Sequence, residues 1–300
     1  MRAVRFTRYG GPEVLEVADV PERHAGPGQV RIRVEAAAVN PYDHKVRAGA
    51  MSRGKPLDHP VVTGQEASGV VDEVGDGVTG TQVGDAVFGF AVNGAAAEYA
   101  VLHHWARQPV GLGFVESAGL ALAAETAERG LRHLDVRPGD TILVHGAAVG
   151  VGQAAVQLAR LRGATVIGTA SAANHDLLRS LGALPTTYEP GLPARVAELA
   201  PEGVAGVFDT AGTSLDELIE VEGAPARVVS IANYTAGERG VVVTTGGADS
   251  AWDALPRVSE LAAQGSYRVR VEAVFPFVEA AAAHRLSESR RAHGKIVLVP

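Results

Sequence analysis

A glycine-rich turn between an apolar strand and a helix constrains the fold of this chain more than any other feature. The segment Thr141–Gly152 has the sequence TILVHGAAVGVG. Gly150 and Gly152 let the backbone turn sharply and approach a pyrophosphate closely, and the following helix offers free N–H groups and a positive dipole to the anion. A tight turn that merely needs small residues is the alternative. Because the turn lies inside a strand–helix–strand frame, the sequence predicts a dinucleotide site.

The order of strands and helices divides the chain in two. Up to about residue 110, short strands alternate with glycine and proline turns, which is typical of a compact β unit. From Glu116 onward, strands alternate with helices, beginning with one helix over Glu116–Leu134, and this alternation is typical of βαβ units on a parallel sheet. A chain of 300 residues also exceeds what one small domain usually needs. The sequence therefore predicts an α/β protein with two domains and a boundary near residues 110–116.

The composition excludes several functional classes. The net charge is −7 and no run of lysine or arginine occurs, so we expect no nucleic-acid partner. No apolar run approaches the roughly 20 residues that cross a bilayer, so we expect no membrane insertion, with the cytoplasm as the default location. The chain has no cysteine, which excludes disulfides, thiol catalysis, iron–sulfur clusters and thiolate zinc sites.

The end of the strand that follows the turn indicates which dinucleotide binds. An NAD-preferring fold usually carries Asp or Glu there, about 20 residues beyond the glycines, to accept a hydrogen bond from the ribose 2′-OH. Here the strand ends at Ser171, and the first carboxylate is Asp176, inside the next helix. A 2′-phosphate could instead meet the Ser171 hydroxyl, with Asn174, His175 and Arg179 as further candidates. The missing carboxylate favours NADPH as the cofactor.

Several motifs in a fixed order resemble those of a known family. They are AAAVNPYD at Ala36–Asp43, GQEASGVVDEVG at Gly64–Gly75, VGDAVFG at Val83–Gly89, the segment Gly94–Tyr99, the glycine-rich turn, and GKIVL at Gly294–Leu298. The whole chain resembles the medium-chain dehydrogenase/reductase superfamily, and most closely its zinc-free quinone oxidoreductase (zeta-crystallin-like) branch. This resemblance implies an α/β fold with a GroES-like β-rich catalytic domain and a doubly wound Rossmann domain that binds NADP. It implies residues 1–115 and 266–300 for the first domain, residues 116–265 for the second, and a homodimer.

The resemblance also bears on metal binding. The zinc enzymes of the superfamily carry Cys where this chain has Asn40, and His where it has Gln65, so both ligand positions hold neutral amides here. His44, His59 and Glu66 could in principle assemble another site, but histidines without motif spacing are more often solvated or satisfied within the core. We therefore expect no metal.

Three residues near these positions are candidates for the chemistry. Asn40 would orient the nicotinamide or the acceptor oxygen, or be only a turn residue. Tyr42 would be an acid or an aromatic wall, or a packing residue. Gln65 would hydrogen-bond the substrate, or have a structural role. Asp43 and Lys45 are expected to form a solvated ion pair.

The expected cofactor contacts follow the family pattern. Thr126 matches the threonine that faces the nicotinamide carboxamide, although a helix-interior threonine can also bond back to its own turn. Strand ends of a doubly wound sheet carry further ligand contacts. Family members usually have glycine at the position of Val149, whose side chain could narrow the approach to the pyrophosphate. Lys295 is a minor candidate. The expected set is Asn40, Thr126, Ala147, Ala148, Val149, Gly150, Val151, Ser171, Asn174, Arg179, Thr210, Ala211, Ser230, Ile231, Ala232 and Gly246.

The absence of metal ligands narrows the expected substrate. An alcohol is a poor substrate without a metal, because nothing lowers its pKa, whereas a quinone or an α,β-unsaturated ketone is already electrophilic. The sequence thus predicts NADPH-dependent hydride transfer to a small-molecule quinone or activated enone. Two alternatives remain open: an enoyl reductase that acts on a thioester or polyketide intermediate, and a non-catalytic NADPH-binding protein.

Overall fold

Short strands fill the first third of the chain, and strands alternate with helices in its middle. The computed structural model of the protein describes residues 1–52 and 54–300. Its strands and helices are, in chain order, β1 (Arg2–Phe6), β2 (Glu16–Asp19), β3 (Val30–Val39), α1 (Pro41–Arg47), β4 (Val61–Val62), β5 (Glu66–Val74), β6 (Ala86–Val92), β7 (Tyr99–Arg107), α2 (Phe114–Ser117), α3 (Ala121–His133), β8 (Thr141–His145), α4 (Gly150–Leu161), β9 (Thr165–Thr169), α5 (His175–Ser180), β10 (Leu184–Thr186), α6 (Leu192–Leu199), β11 (Gly206–Asp209), α7 (Leu215–Glu222), β12 (Val228–Ser230), β13 (Val242–Val243), α8 (Ala254–Ala263), β14 (Val271–Pro276), α9 (Ala280–Glu288) and β15 (Lys295–Val299).

The described chain divides into two compact units. Unit 1 comprises Met1–Leu122 and Leu255–Pro300, and unit 2 comprises Ala123–Ala254. Across residues 1–52 and 54–300, no helix combines the length and the apolar character needed to cross a bilayer.

Unit 1 is built on β-sheets. A six-stranded sheet has the order β14-β15-β3-β5-β6-β7, and an additional pairing between β3 and β7 closes four of these strands into a ring; a second sheet has the order β2-β1-β4. Along β3, Val30, Ile32 and Val34 are buried, whereas Arg31 and Arg33 are not. This alternation follows from the two-residue period of a strand, which directs one face into the core. The GroES-like β-rich domain expected from the motifs is confirmed.

The register of three strands brings distant residues together in unit 1. The last residues of β3 pair with the first residues of β5 and β15, so that Ala38 lies opposite Glu66 and Val39 lies opposite Ile296. Asn40 directly follows β3, and Lys295 begins β15. The ends of three strands therefore place Asn40, Glu66 and Lys295 at one edge of the sheet.

Unit 2 contains a parallel sheet with helices between its strands. The strand order is β10-β9-β8-β11-β12-β13, and every pairing is parallel. The chain runs outward from β8 in one direction through β9 and β10, and then in the other through β11, β12 and β13. Such a reversal of strand order creates a crevice at the carboxyl ends of the strands. The doubly wound α/β fold class predicted from the sequence is confirmed.

The prediction of one continuous helix over Glu116–Leu134 was wrong. The structure has two helices, α2 and α3, with a break around Gly119. A Cβ atom on Gly119 would lie 2.6 Å from Cγ of Lys295, so the lysine stem packs tightly against this break. Because α3 begins anew at Ala121, the N–H of Leu122 belongs to a first helical turn and lacks a partner in its own helix.

Candidate active site

A buried cluster in unit 1 joins an amide, a carboxylate and an ammonium group, and we call it the Asn40 cluster. Nδ2 of Asn40 donates to Oε1 of Glu66 over 2.9 Å. Nζ of Lys295 donates to Oδ1 of Asn40 and to Oε1 of Glu66, over 2.8 Å in each case. The free N–H of Leu122 donates to Oε2 of Glu66 over 2.7 Å. All three side chains are buried, so each charge is balanced by hydrogen bonds inside the protein.

Asp43 adds a second carboxyl group beside this cluster. It lies in the first turn of α1, and one of its oxygens accepts a 2.7 Å hydrogen bond from the backbone N–H of Asn40. Burial raises the pKa of Asp43 to about 7, against the lowering effects of the Asn40 hydrogen bond and of Lys295, while Glu66 adds to the increase. The expected solvated ion pair of Asp43 with Lys45 is therefore wrong for Asp43, which is buried.

Tyr42 and Gln65 lie near the cluster in sequence but do not join it. Tyr42 follows Asn40 by two residues and is 37% exposed. Gln65 immediately precedes β5 and is half-buried, with its backbone oxygen accepting from the N–H of Ala91. Within the described ranges, neither side chain takes part in the hydrogen bonds of the Asn40 cluster.

The histidines considered as metal ligands lie in different settings. His44 is half-buried on α1, where burial lowers its pKa, and His59 is an exposed partner of Asp58. In the part of the chain that the structure describes, no three His, Cys, Asp or Glu residues form a group that could hold a metal ion.

The glycine-rich turn of unit 2 is built by close backbone contacts. A Cβ on Gly152 would lie 2.1 Å from the carbonyl oxygen of Gly146, which only glycine avoids at this position. Gly146 itself has a φ of +83°, in the region that favours glycine. A Cβ on Gly150, in contrast, would meet nothing within 4 Å. The turn is thus packed tightly on its inner side and open where α4 begins.

A buried histidine ties this turn to the sheet. Oγ1 of Thr169 accepts from the N–H of Gly146 and lies 2.9 Å from Nδ1 of His145. Nε2 of His145 lies 3.0 Å from Oγ1 of Thr213. Burial lowers the pKa of His145, against the effect of Asp209, so the ring is neutral near pH 7. A neutral ring matches these contacts when Nδ1 accepts from Thr169 and Nε2 donates to Thr213.

The neighbouring strand ends form a second hydrogen-bonded set. The Asp209 carboxylate accepts from the N–H groups of Ala211 and Gly212, over 3.0 and 2.8 Å, and from the Ser230 hydroxyl over 2.7 Å. The Thr210 hydroxyl donates to the carbonyl of His145 over 2.8 Å. The hydroxyls of Thr210 and Ser230 therefore hold the backbone at the carboxyl edge of the sheet. Ala211, Ile231 and Ala232 lie at the same edge.

Thr126 belongs to a buried ion-pair network in unit 2. Its hydroxyl donates to Glu125 over 3.2 Å, and Glu125 pairs with Arg129 over 2.8 Å. Arg129 also donates to the hydroxyl of Thr244, and Gly246 follows two residues later with a φ of +87°. The structure therefore places Thr126 and Gly246 beside one network.

Comparisons with known proteins match both parts of the chain. The family model of the alcohol dehydrogenase GroES-like domain matches residues 26–111, and that of the zinc-binding dehydrogenase matches residues 188–298. The NADPH-dependent alkenal/one oxidoreductase of Arabidopsis thaliana is 34% identical over 322 residues, covering 100% of this chain and 80% of the relative. The chain belongs to the medium-chain dehydrogenase/reductase superfamily. This confirms the family inferred from the motifs.

Other relatives and solved structures include quinone oxidoreductases. The quinone oxidoreductase of Rattus norvegicus is 41% identical over 179 residues, a match that covers 57% of this chain and only 53% of the relative. The structure of the quinone oxidoreductase from Coxiella burnetii superposes with a TM-score of 0.86 at 30% identity, covering 100% and 99% of the two chains. A mycobacterial protein solved with NADPH superposes with a TM-score of 0.85 at 30% identity and full coverage of both chains.

The residues expected at the ribose phosphate are only partly together in the structure. Nδ2 of Asn174 donates to Oγ of Ser171 over 2.9 Å, so these two side chains form one polar patch after β9. Arg179 instead pairs with Asp176 over 2.7 Å on the exposed side of α5. The patch therefore offers a hydroxyl and an amide, while the guanidinium is held elsewhere.

The glycine-rich turn fits the diphosphate of a nicotinamide dinucleotide. The open space at Gly150 and the first N–H groups of α4, at Gly150, Val151 and Gly152, give the donor set that an anion requires. Val149 has a φ of −115°, an ordinary extended conformation, and its side chain is 37% exposed. Valine at this position is thus free of backbone strain. The two preceding residues, Ala147 and Ala148, are buried.

Three polar residues that the sequence left without a cofactor or catalytic role are central to these sites. Glu66 was considered only as a metal ligand, and Thr169 and His145 were given no role. No local pattern identifies them, since each gains its partners from strand pairing. The only available signal was position, because His145 and Thr169 end neighbouring strands of the predicted parallel sheet.

Proposed function

We propose that the protein is a reductase that uses NADPH to reduce a quinone or another activated enone without a metal ion. The observation that carries the proposal is the Asn40 cluster. An ammonium group lies 2.8 Å from both Asn40 and Glu66, next to the position where zinc enzymes of the superfamily carry a cysteine. A divalent cation bound to Oδ1 of Asn40 or to Oε1 of Glu66 would have to displace the ammonium group of Lys295. The local positive charge is therefore supplied by Lys295 itself.

The chain's own residues would bind the cofactor and would orient and polarise the carbonyl group of the acceptor. When bound, NADPH supplies the hydride. The first N–H groups of α4 would hold its diphosphate, and Ser171 with Asn174 would face its 2′-phosphate. Asn40 would donate a hydrogen bond to the acceptor's carbonyl oxygen. Since an enone or quinone is already electrophilic, orientation and one such donor can supply most of the rate. The relatives named as quinone and alkenal/one oxidoreductases support this substrate class.

An acceptor panel tests the proposal directly. The purified protein is assayed with NADPH and one of four acceptors: a naphthoquinone, an alkyl vinyl ketone, an enoyl thioester or a saturated ketone. A separate assay supplies a primary alcohol together with NADP. We expect NADPH oxidation with the quinone or the vinyl ketone, and the same rate after dialysis against a chelator. The saturated ketone and the alcohol should react slower by about a hundredfold or more, since the protein has no strong Lewis acid for them.

Each contrary outcome has a clear meaning. Turnover of the enoyl thioester in preference to both other enones would assign the protein to the enoyl reductases. NADPH binding without turnover of any acceptor would indicate a non-catalytic protein. Loss of activity after chelation, restored by zinc, would reject the metal-free mechanism.

Replacing Ser171 with Asp should shift the cofactor preference from NADPH towards NADH. The new carboxylate would lie at the strand end where NAD-specific folds carry one, and would repel a 2′-phosphate. Two charges about 4 Å apart near a protein surface interact by roughly 4 kcal/mol, so we expect the ratio of kcat/KM for NADPH over NADH to fall about a hundredfold or more. Ser180→Asp, which adds the same charge to the exposed end of α5, is the control. An unchanged ratio in Ser171→Asp would place the 2′-phosphate elsewhere.

A further inference from the structure

The Asn40 side chain has only one orientation that satisfies its neighbours. An ammonium group only donates hydrogen bonds, and an ionised carboxylate only accepts them. Lys295 therefore requires the amide oxygen, and Glu66 requires the amide nitrogen, which matches the observed contacts of 2.8 and 2.9 Å. A flipped amide would set nitrogen against the ammonium and oxygen against the carboxylate. Both contacts would be repulsive and buried, where such mismatches are strongly unfavourable.

Glu66 is in turn fixed by three donors. Oε1 accepts from Asn40 and Lys295, and Oε2 accepts from the N–H of Leu122. The break between α2 and α3 is what leaves this N–H available. The carboxylate therefore cannot rotate away from Asn40 without losing hydrogen bonds on both of its oxygens, and Lys295 is held by the tight packing of its stem against Gly119.

This arrangement leaves Asn40 with one N–H that the cluster does not use. An amide nitrogen carries two hydrogens, and only one of them goes to Glu66. The hydrogen bond from the ammonium to Oδ1 draws electron density from the amide, which makes its N–H groups stronger donors because hydrogen-bonded groups polarise one another. A preorganised donor of this kind stabilises negative charge that develops on a carbonyl oxygen.

We propose that Glu66 and Lys295 are positioning residues that fix the Asn40 amide so that it presents an N–H donor to the carbonyl oxygen of the acceptor. This inference rests on the proposed function, and it explains why a lysine from the last strand of the chain is buried in this cluster. It also narrows the substrate class. The molecule that receives hydride must carry a hydrogen-bond-accepting oxygen that is conjugated to the carbon receiving the hydride. The quinone carbonyl and the enone carbonyl both meet this requirement.

A double-mutant cycle on kcat/KM for a vinyl ketone tests whether Lys295 acts through Asn40. We expect Lys295→Met to lower kcat/KM about 10- to 100-fold in the wild-type background, but less than about twofold in the Asn40→Ala background. The dissociation constant of NADPH should change less than about threefold, because the cluster is not part of the glycine-rich turn. Lys295→Arg, which keeps a charged donor, should restore part of the activity. Equal losses from Lys295→Met in both backgrounds would overturn the inference.

A second measurement needs no turnover. Nitrogen-15 NMR of the side-chain amides, with Asn40 assigned by the signal lost in Asn40→Ala, reports the orientation and protection of this group. We expect Lys295→Met and Glu66→Gln each to shift the Asn40 amide signals and to speed their hydrogen exchange about tenfold or more. Unchanged signals in both variants would overturn the positioning role even if the protein reduces every acceptor. If both variants shift the Asn40 signals but the wild-type protein reduces no acceptor, only the proposed function is contradicted. Glu66→Gln, which keeps the size of the side chain, supplies the test if Lys295→Met does not fold.

Discussion

Replacing Arg47 with methionine is expected to lower the free energy of unfolding of unit 1 by about 3–5 kcal/mol, because two buried acceptors would each lose their donor at a cost of about 1–3 kcal/mol. Arg47 is only 1% exposed, the most buried charge on α1. Its Nε donates to the carbonyl of Gly10 over 3.1 Å, Nη1 lies 3.2 Å from Nδ1 of His284, and Nη2 pairs with Glu288. Methionine would fill part of the volume but would leave three acceptors without a donor.

The effect depends on His284 being neutral. Burial and the nearby Arg47 lower the pKa of His284 to about 3, so Nδ1 can accept from the guanidinium at any ordinary pH. Without Arg47, Nδ1 becomes a buried acceptor with no donor, which is costly. Glu288 is 32% exposed and can turn to solvent, so most of the loss should come from His284 and Gly10.

Denaturant unfolding followed by tryptophan fluorescence measures this loss. The chain has two tryptophans. Trp105 lies in unit 1 and Trp252 in unit 2, so a Trp252→Phe background reports unit 1 alone. Arg33→Met is the matched control, because Arg33 is 55% exposed beside Glu35 and should cost no more than about 1 kcal/mol. Arg47→Lys should fall between the two, since one ammonium cannot reach three acceptors. Equal losses for Arg47→Met and Arg33→Met would contradict a stabilising role for the buried guanidinium.

Replacing Asp43 with asparagine should make unit 1 progressively more stable than the wild type as the pH rises. Burial raises the pKa of Asp43 from 3.8 to about 7 in the folded protein. Between these values the folded state keeps a proton that the unfolded state has released, so the wild type loses stability as the pH rises. Asparagine imitates the protonated acid and has no proton to lose. The difference between the two proteins should grow by about 1.4 kcal/mol per pH unit, or about 4 kcal/mol in all.

The same Trp252→Phe background allows this difference to be measured from about pH 4 to about pH 8. Comparing two proteins that differ at one site cancels the titration of all other groups. Asparagine can still accept the hydrogen bond from the Asn40 backbone, so the local structure should persist. Asp85→Asn is a suitable control, because Asp85 is a partly exposed carboxylate that accepts from Gln82. A difference that stays flat, or that favours the wild type at high pH, would show that Lys295 outweighs burial and keeps Asp43 ionised.

These two predictions concern the same short helix. α1 begins immediately after Asn40, carries Asp43 in its first turn and ends at Arg47. The Arg47 contacts hold its last turn against α9 and Gly10, while the Asp43 contact holds its first turn against the Asn40 backbone. The position of the Asn40 amide is therefore supported from both ends of α1. A loss of activity in Arg47→Met that exceeds the loss of folded protein would be consistent with this linkage.

The sequence was most informative where function depends on the local path of the backbone. Gly152 has no side chain because the carbonyl oxygen of Gly146 lies too close for one, and Gly146 has a φ of +83°, which favours glycine. Such a requirement leaves a mark at fixed spacing, as does the alternation of strands and helices that indicates a parallel sheet. The absence of a carboxylate at the strand end, where the chain has Ser171, is likewise visible in the local sequence. The prediction of one helix over Glu116–Leu134 failed because the chain breaks around Gly119, where it packs against Lys295, a residue 176 positions away in the chain.

The amino-acid sequence by itself determined the α/β class, the family, the glycine-rich turn and the amides at positions 40 and 65. These features depend on backbone geometry and residue type over a few neighbours. Only the tertiary structure decided that Asn40 contacts Lys295, 255 residues away, and that Arg47 contacts His284, 237 residues away. Charged groups in such clusters become stable only when strand register and helix packing remove them from water and supply every hydrogen-bond partner at once. Burial and a full set of hydrogen-bond partners arise only in the folded unit, because the partners come from distant parts of the chain.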